Sequence, residues 1–289
     1  MGTAAETDVD VAWAEGRIVS DSAKQLRPFV RWAGSKRLLL RQIRALVPAS
    51  FGTYFEPFLG GGSLLLAIRP DRAVVGDALE PLMSAWRSIK HRPQSVLNQL
   101  STWSFDEQTY AQLRGARFQT EVEKAAQFLY LNRGAYGGLW RVNKKGTFNV
   151  PWATPKTPSE IDEQNLFRVS SYLNQSSVLL ITGDYAKTTI NASAGDFVFL
   201  DPPYSRGRPV RPFIEYTHDI FSWDSQIALA REAARLRDLG ASVIVTNSSH
   251  PDVLSLYPGF RTLDVTRHSS LGSHVGSSRT ITERIFASV

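Results

Sequence analysis

The sequence predicts an α/β fold: a mixed, mostly parallel sheet with a C-terminal antiparallel hairpin, plus an inserted, mainly helical segment. Three observations predict it. Short apolar runs such as "RAVVGD" and "DFVFL" alternate with helix-patterned stretches such as "SQIALAREAARLRDLG", the rhythm of βαβ units. That rhythm breaks between about residues 85 and 165 and then resumes. The chain closes on "GFRTLDVTRHSS" and "RTITERIFAS", two strand-like runs joined by the Gly/Ser-rich "LGSHVGSS", which reads as a strand pair.

Taken in order, residues 1–24 are acidic and weakly patterned, an arm outside the fold. Residues 25–84 and 166–289 form the core domain, and 85–165 the insertion. From Pro28, "PFVRWAGSKRLLLRQIRALVP" holds a glycine turn, then apolar residues at helical spacing up to Pro48. "TYFEPFLGGGSLLLAI" reads as strand, glycine turn, helix. "RAVVGDALEPLMSAWRSI" reads as a strand ending in Asp77, then a helix. The insertion carries the helical "EVEKAAQFLYLNR" and the hairpin-like "GAYGGLWRVNKKGTFNVPW". "SVLLITGDYAKTTI", "DFVFLDPPY" and "ASVIVTNSS" then supply further strands.

Composition bounds the function. The chain has 289 residues, 43% hydrophobic and 21% charged, an ordinary globular balance. No apolar run approaches the roughly 20 residues that span a bilayer, and the N-terminus lacks a basic start before an apolar stretch. A cytoplasmic protein with no membrane partner is the expectation. Cysteine is absent, which excludes disulfides, thiolate-bound zinc and a cysteine nucleophile. Five scattered histidines form no H-x-x-x-H pair, so no metal is expected. The net charge is +6, and residues 85–160 alone carry eleven basic against five acidic side chains. The excess is therefore local, as a polyanion footprint would be.

Four segments carry candidate chemistry. Gly60, Gly61 and Gly62 sit where a strand turns into a helix; they are either a tight structural turn or a close approach to a ligand. Residue 65 is Leu, so the dinucleotide fingerprint G-x-G-x-x-G is not met. Asp77 and Asp184 end strands, and each is either a helix cap or an acceptor for ligand hydroxyl or amino groups. In "FLDPPYS", Asp201 follows an apolar strand and two prolines follow it. The chain must leave the sheet stiffly, with carbonyls pointing outward. The alternative is a strand-ending turn with an exposed tyrosine.

In order, "FVRWAGSKR", "FEPFLGGGS", "GDALE", "FLYLNRGAYGGLWRVNKKGTFNVPW", "DPPY" and "FIEYTHDIFSWDSQIALA" resemble the Dam-type (D12 class) DNA adenine N6-methyltransferases from about residue 28 onward. The resemblance implies a Rossmann-like fold that uses S-adenosyl-L-methionine, with the insertion as the target-recognition domain. It implies cofactor contacts from Trp32, Lys36, Glu56, Phe58, Gly60, Gly61, Gly62, Asp77, Asp184 and Asp201. In it Asp77 pairs with the ribose and Asp184 with the adenine ring; on physical grounds the Lys36 ammonium could pair with the cofactor's carboxylate. Catalysis falls to Asp201, Pro202, Pro203 and Tyr204, and DNA contact to Arg31, Arg133, Tyr136, Leu139, Arg141, Asn143, Lys144 and Lys145. The expected partner is double-stranded DNA, with a base flipped out for reaction. A monomer is expected in solution, with a weak dimer on DNA and a separate cognate restriction endonuclease as further options.

The chemistry of "DPPY" can be derived independently. An adenine amino nitrogen is a poor nucleophile because its lone pair is delocalised. Two acceptors, Asp201 Oδ and the Pro202 carbonyl, would draw it toward tetrahedral geometry, with Tyr204 stacked on the base. Cytosine C5 methylation ordinarily needs a cysteine, so that route is closed. Cytosine N4 methylation and an inactive DNA-binding relative stand as alternatives. Gly137 replaces the Asn of many GATC readers, "PWATPKTP" diverges after "FNVP", and Arg31 stands where several relatives have lysine. The target sequence is left open by these departures.

Overall fold

The structure, a computed structural model, describes residues 25–32, 34, 36–143, 146–154, 161–205, 207, 221–269 and 279–288. The acidic arm, Lys144, Lys145, the basic loop with Arg206, Arg208 and Arg211, and the "LGSHVGSS" turn lie outside the described residues.

Seven strands build one sheet: β1 (Tyr54–Glu56), β2 (Arg72–Asp77), β3 (Ser177–Thr182), β4 (Phe197–Leu200), β5 (Ser242–Ser248), β6 (Arg261–Ser269) and β7 (Arg279–Ala287). Their order is β3-β2-β1-β4-β5-β7-β6. The first five run parallel. β7 inserts antiparallel between β5 and β6, with Val245 opposite Phe286 and Arg261 opposite Ala287. The expected sheet is thus the observed one. In β4 all four residues are buried: Phe197 and Phe199 enter one core, Val198 and Leu200 the other. The period-two alternation of a strand covered on both faces accounts for this uniformly apolar run.

Ten α-helices complete the described chain: α1 (Leu40–Ala45), α2 (Ser63–Ile68), α3 (Glu80–His91), α4 (Pro93–Ser101), α5 (Glu107–Gly115), α6 (Glu121–Gly134), α7 (Glu163–Gln175), α8 (Tyr185–Thr189), α9 (Trp223–Asp238) and α10 (Pro251–Leu254). α1 is shorter than its apolar pattern suggests. A 3₁₀ turn over Lys36–Leu38 precedes it. At its end Leu46 and Val47 donate to Ile43 and Arg44, three residues back, the tightening expected ahead of Pro48. α6 starts at a capping box in which Thr120 and Glu123 satisfy each other's backbone N–H, worth about 1 kcal/mol.

The insertion shares the main core. Residue 85 lies inside α3, whose Trp86 and Ile89 are buried with Ala125, Ala126, Phe128 and Leu129 of α6. A smaller cluster of Tyr110, Leu113, Tyr130, Leu131, Ala135, Phe148 and Val150 packs beneath the hairpin-like segment. Among the described residues no helix is long and apolar enough to cross a membrane.

Candidate active site

Strand order reverses between β1 and β4, and in open α/β sheets the crevice beyond the strand carboxyl ends at such a point receives ligands. Asp77 ends β2. Its Oδ2 accepts the Gly60 N–H (3.0 Å) and its Oδ1 the Leu79 N–H (3.0 Å). Burial raises its carboxyl above the usual range, and those amide donors offset part of the rise. A carboxylate offers about four lone-pair sites, so hydrogen-bonding capacity remains for ligand hydroxyls.

The glycine bend is closed from both sides. Gly60 and Gly62 have φ of +48° and +62°. A Cβ on Gly60 would lie 2.5 Å from the Trp32 ring, and one on Gly62 would lie 2.8 Å from the Trp86 ring. The Trp86 indole N–H donates to Gly60 O (3.1 Å). Glu56 lies under the bend, 3% exposed, accepting from the Tyr54 hydroxyl (2.9 Å) and the Leu65 N–H (3.2 Å). Burial pushes its carboxyl up to about 8. Phe58 stacks on Tyr185 at 5.9 Å and meets Phe221 edge-on. The neighbouring Asp184 is exposed and caps α8 through the Ala186 N–H (2.6 Å).

The Asp201–Ser205 loop is held by four elements: the 3₁₀ turn, α9, β5 and β7. Asp201 Oδ1 accepts from the Thr246 hydroxyl (2.6 Å) and pairs with Lys36 Nζ (2.7 Å). Lys36 also donates to Gly34 O (2.7 Å), and its ammonium lies 4.7 Å from the centre of the Tyr204 ring. Tyr204 donates to Glu283 Oε2 (2.5 Å), and Glu283 is 1% exposed. Gln226 donates to Pro203 O (2.8 Å), and Asn247 donates to Gln226 (2.9 Å). The Ser248 hydroxyl donates to Ser205 O (2.6 Å). Burial raises the Asp201 carboxyl, with Lys36 and Thr246 pulling it back down. The Tyr204 phenol is driven well up, first by burial and then by the carboxylates of Asp201 and Glu283.

The insertion reaches the same crevice. Buried Asn132 of α6 accepts the Arg31 N–H (2.8 Å) and donates to Arg31 O (2.7 Å) and Gly138 O (3.0 Å). The segment entering Trp32 is therefore bolted to the hairpin. That hairpin pairs Val142 with Phe148 and turns at Asn143, whose N–H donates to Thr147 O (2.8 Å). Tyr136, Leu139 and Val142 are exposed. The Arg141 Nε donates to Asn149 Oδ1 (2.8 Å). Arg133 is half-buried and lowered to about 10 by burial and then by Arg31. Among the described residues no group of three or more His, Asp or Glu is placed to hold a metal ion.

A family profile described as D12 class N6 adenine-specific DNA methyltransferase matches residues 32–271. The chain belongs to that family. It is 35% identical over 268 residues to the Type II methyltransferase M1.LlaDCHI of Lactococcus lactis subsp. cremoris, covering 90% of this chain and 94% of the relative. It is 34% identical to the Type II methyltransferase M.MjaIII of Methanocaldococcus jannaschii, covering 82% and 89%. A DNA adenine methylase of Vibrio cholerae is 29% identical, covering 91% and 96%. The protein is an adenine-specific DNA methyltransferase, which sets aside cytosine N4 as the target class. Membership implies S-adenosyl-L-methionine as methyl donor and double-stranded DNA as substrate.

In this methyltransferase the expected residues fall into linked groups. Trp32, Gly60 and Asp77 touch in sequence, Phe58 meets the tyrosine beside Asp184, and Lys36 joins Asp201 and Tyr204. Lys36 Nζ lies 2.7 Å from both Asp201 Oδ1 and Gly34 O. Sequence reasoning missed Thr246, Asn247, Gln226, Glu283 and Asn132. A signal existed for the first two: "ASVIVTNSS" switches from apolar to polar at a strand end, as "FVFLDPPY" does.

Proposed function

We propose that the protein transfers a methyl group from S-adenosyl-L-methionine to the N6 amino group of an adenine rotated out of double-stranded DNA. The observation that carries this reading is the sorting of acceptors in the Asp201–Ser205 loop. Asp201 Oδ1, Pro203 O and Ser205 O each receive a donor from the protein. Asp201 Oδ2 and Pro202 O receive none among the described residues, which leaves two acceptors for the two N–H bonds of one amine.

When bound, the donor supplies an electrophilic methyl on a sulfonium. Trp32, Phe58 and the Gly60–Gly62 bend would hold it, with Asp77 on the ribose hydroxyls and Asp184 toward the adenine. Asp201 Oδ2 and Pro202 O draw the substrate nitrogen toward tetrahedral geometry and face the positive charge that develops on it. Tyr204, its hydroxyl anchored on Glu283, offers its ring to the extruded base. Pro203 stiffens the exit from the loop. Arg31 and Arg133, two neighbouring cations, suit a phosphate, and exposed Tyr136 and Leu139 suit the gap left by the flipped base. Asn143 shapes the turn, and Lys144 and Lys145 add charge. We read the protein as cytoplasmic and monomeric in solution, with a weak dimer on DNA as an option, and the Type II names of two relatives support a role beside a cognate restriction endonuclease.

The direct test is transfer of a labelled methyl group to DNA followed by nucleoside analysis. N6-methyladenine is expected as the sole labelled nucleoside; labelled N4-methylcytosine, or no label in DNA, sinks the reading. Arg141→Ala tests the reading surface. A bidentate arginine–guanine contact is worth about 1–3 kcal/mol, so the variant is expected to relax site choice by about 5–150-fold on competing oligonucleotides. An unchanged preference would remove Arg141 from base readout.

A further inference from the structure

The geometry points to Lys36 and Thr246 as positioning residues that lock Asp201 Oδ1 and thereby present Oδ2 to the substrate amine. This rests on the acceptor role of Asp201 proposed above and goes beyond it. The two oxygens of an ionised carboxylate are equivalent, so what fixed donors secure is its terminal torsion, and with it the direction in which the second oxygen faces. Here two donors converge on one oxygen from separate elements: the ammonium of Lys36 at 2.7 Å from the 3₁₀ turn, and the hydroxyl of Thr246 at 2.6 Å from β5.

Both donors are themselves fixed. Lys36 is 6% exposed, tied to Gly34 O and laid over the Tyr204 ring. Thr246 is fully buried, and its backbone pairs with Ile285 in the β5–β7 ladder. Turning the carboxylate away from this torsion would weaken two charge-assisted hydrogen bonds at once. In this proposal Lys36 Nζ serves Asp201, whereas the sequence reading put it on the donor's own carboxylate. One variant separates the two roles.

The surroundings set the sign of the expected change. Glu283 of β7 raises the affinity of Asp201 for a proton, as burial does, and Glu56 and Tyr54 of β1 and Tyr204 of the loop face it electrostatically. Lys36 and Thr246 oppose this. Asp201 must be ionised to accept, so loss of either donor keeps it protonated to higher pH. The acid limb of the transfer rate then moves upward.

The experiment is single-turnover methyl transfer against pH at saturating donor and DNA, with calorimetric binding of S-adenosyl-L-methionine, on the full chain. Lys36→Met is expected to raise the acid limb by about 1–3 pH units, the effect of removing an adjacent opposite charge. Its donor affinity is expected to stay within about threefold of wild type. Thr246→Val moves the limb the same way by less, and Thr246→Ser restores it. If the limb stays put in Lys36→Met and Thr246→Val, the proposal is overturned. It is equally overturned if Lys36→Met loses donor affinity about tenfold or more with the limb unmoved, since Lys36 would then serve the donor. Should Lys36→Met fail to fold, the Thr246 pair decides alone. A fully active Asp201→Asn protein would instead sink the acceptor role itself.

Discussion

Asp201→Asn is expected to slow methyl transfer by about 10²–10³-fold, the scale for losing one preorganised polar group at a reacting centre, with S-adenosyl-L-methionine still bound. The direction follows from the two donors on Oδ1. An asparagine carbonyl would take their hydrogen bonds, since Lys36 and Thr246 both donate there. The amide NH₂ is then forced into the place of Oδ2. A donor would face the N–H bonds of the substrate amine, so the isosteric change opposes the geometry that the carboxylate supports.

Asp201→Ala should be at least as inactive but less informative. It strips the counter-charge from a lysine whose side chain is 7% exposed, and breaking a buried pair costs about 3–5 kcal/mol. Lost stability would then mix with lost chemistry. The measurement is therefore the single-turnover rate of the Asn form, beside its thermal melting and donor binding. Retention of more than about a tenth of the wild-type rate would remove Asp201 as the acceptor.

The parts of this site legible in the sequence are those set by local punctuation. Asp77 is the last residue of β2, Asp201 immediately follows β4, and Gly60–Gly62 lie between β1 and α2. Glycine, proline and the apolar period fix such positions over a few residues. What was not legible is who answers them. Thr246 lies 45 positions from Asp201, Glu283 lies 79 from Tyr204, and Asn132 lies 101 from Arg31. Those meetings are decided by the parallel pairing of β4 with β5, by the placement of β7 between β5 and β6 and by the packing of α6 into the main core. No local period encodes any of them. The same cause explains why the 85 boundary falls inside α3. A break in the βα rhythm marks where chain direction becomes irregular, whereas Trp86 and Ile89 stay in the sheet's own core.

The three consecutive glycines should respond to alanine in three different ways. Gly62→Ala is expected to lose about 2–4 kcal/mol of stability. About 1–2 kcal/mol comes from a left-handed alanine and the rest from overpacking against a core side chain. The wall it meets cannot retreat: Trp86 is fully buried, tied to Gly60 O and packed edge-on against Phe29 at 4.6 Å. A drop in melting temperature of about 4–8 °C is the corresponding readout.

Gly60→Ala meets Trp32 instead, which is partly exposed and can swing away. Its cost is therefore expected in donor affinity, by about tenfold or more, with a smaller loss of melting temperature. Gly61 is outside the left-handed region, and its nearest neighbours would lie 3.5 Å from a new Cβ. Gly61→Ala should leave both measurements nearly unchanged, within about 2 °C in melting temperature. The graded pattern is what separates a bend shaped around a ligand from a turn that merely needs small residues. A turn of the second kind would penalise all three alanines through stability alone, and would leave Trp32 out of the donor's affinity.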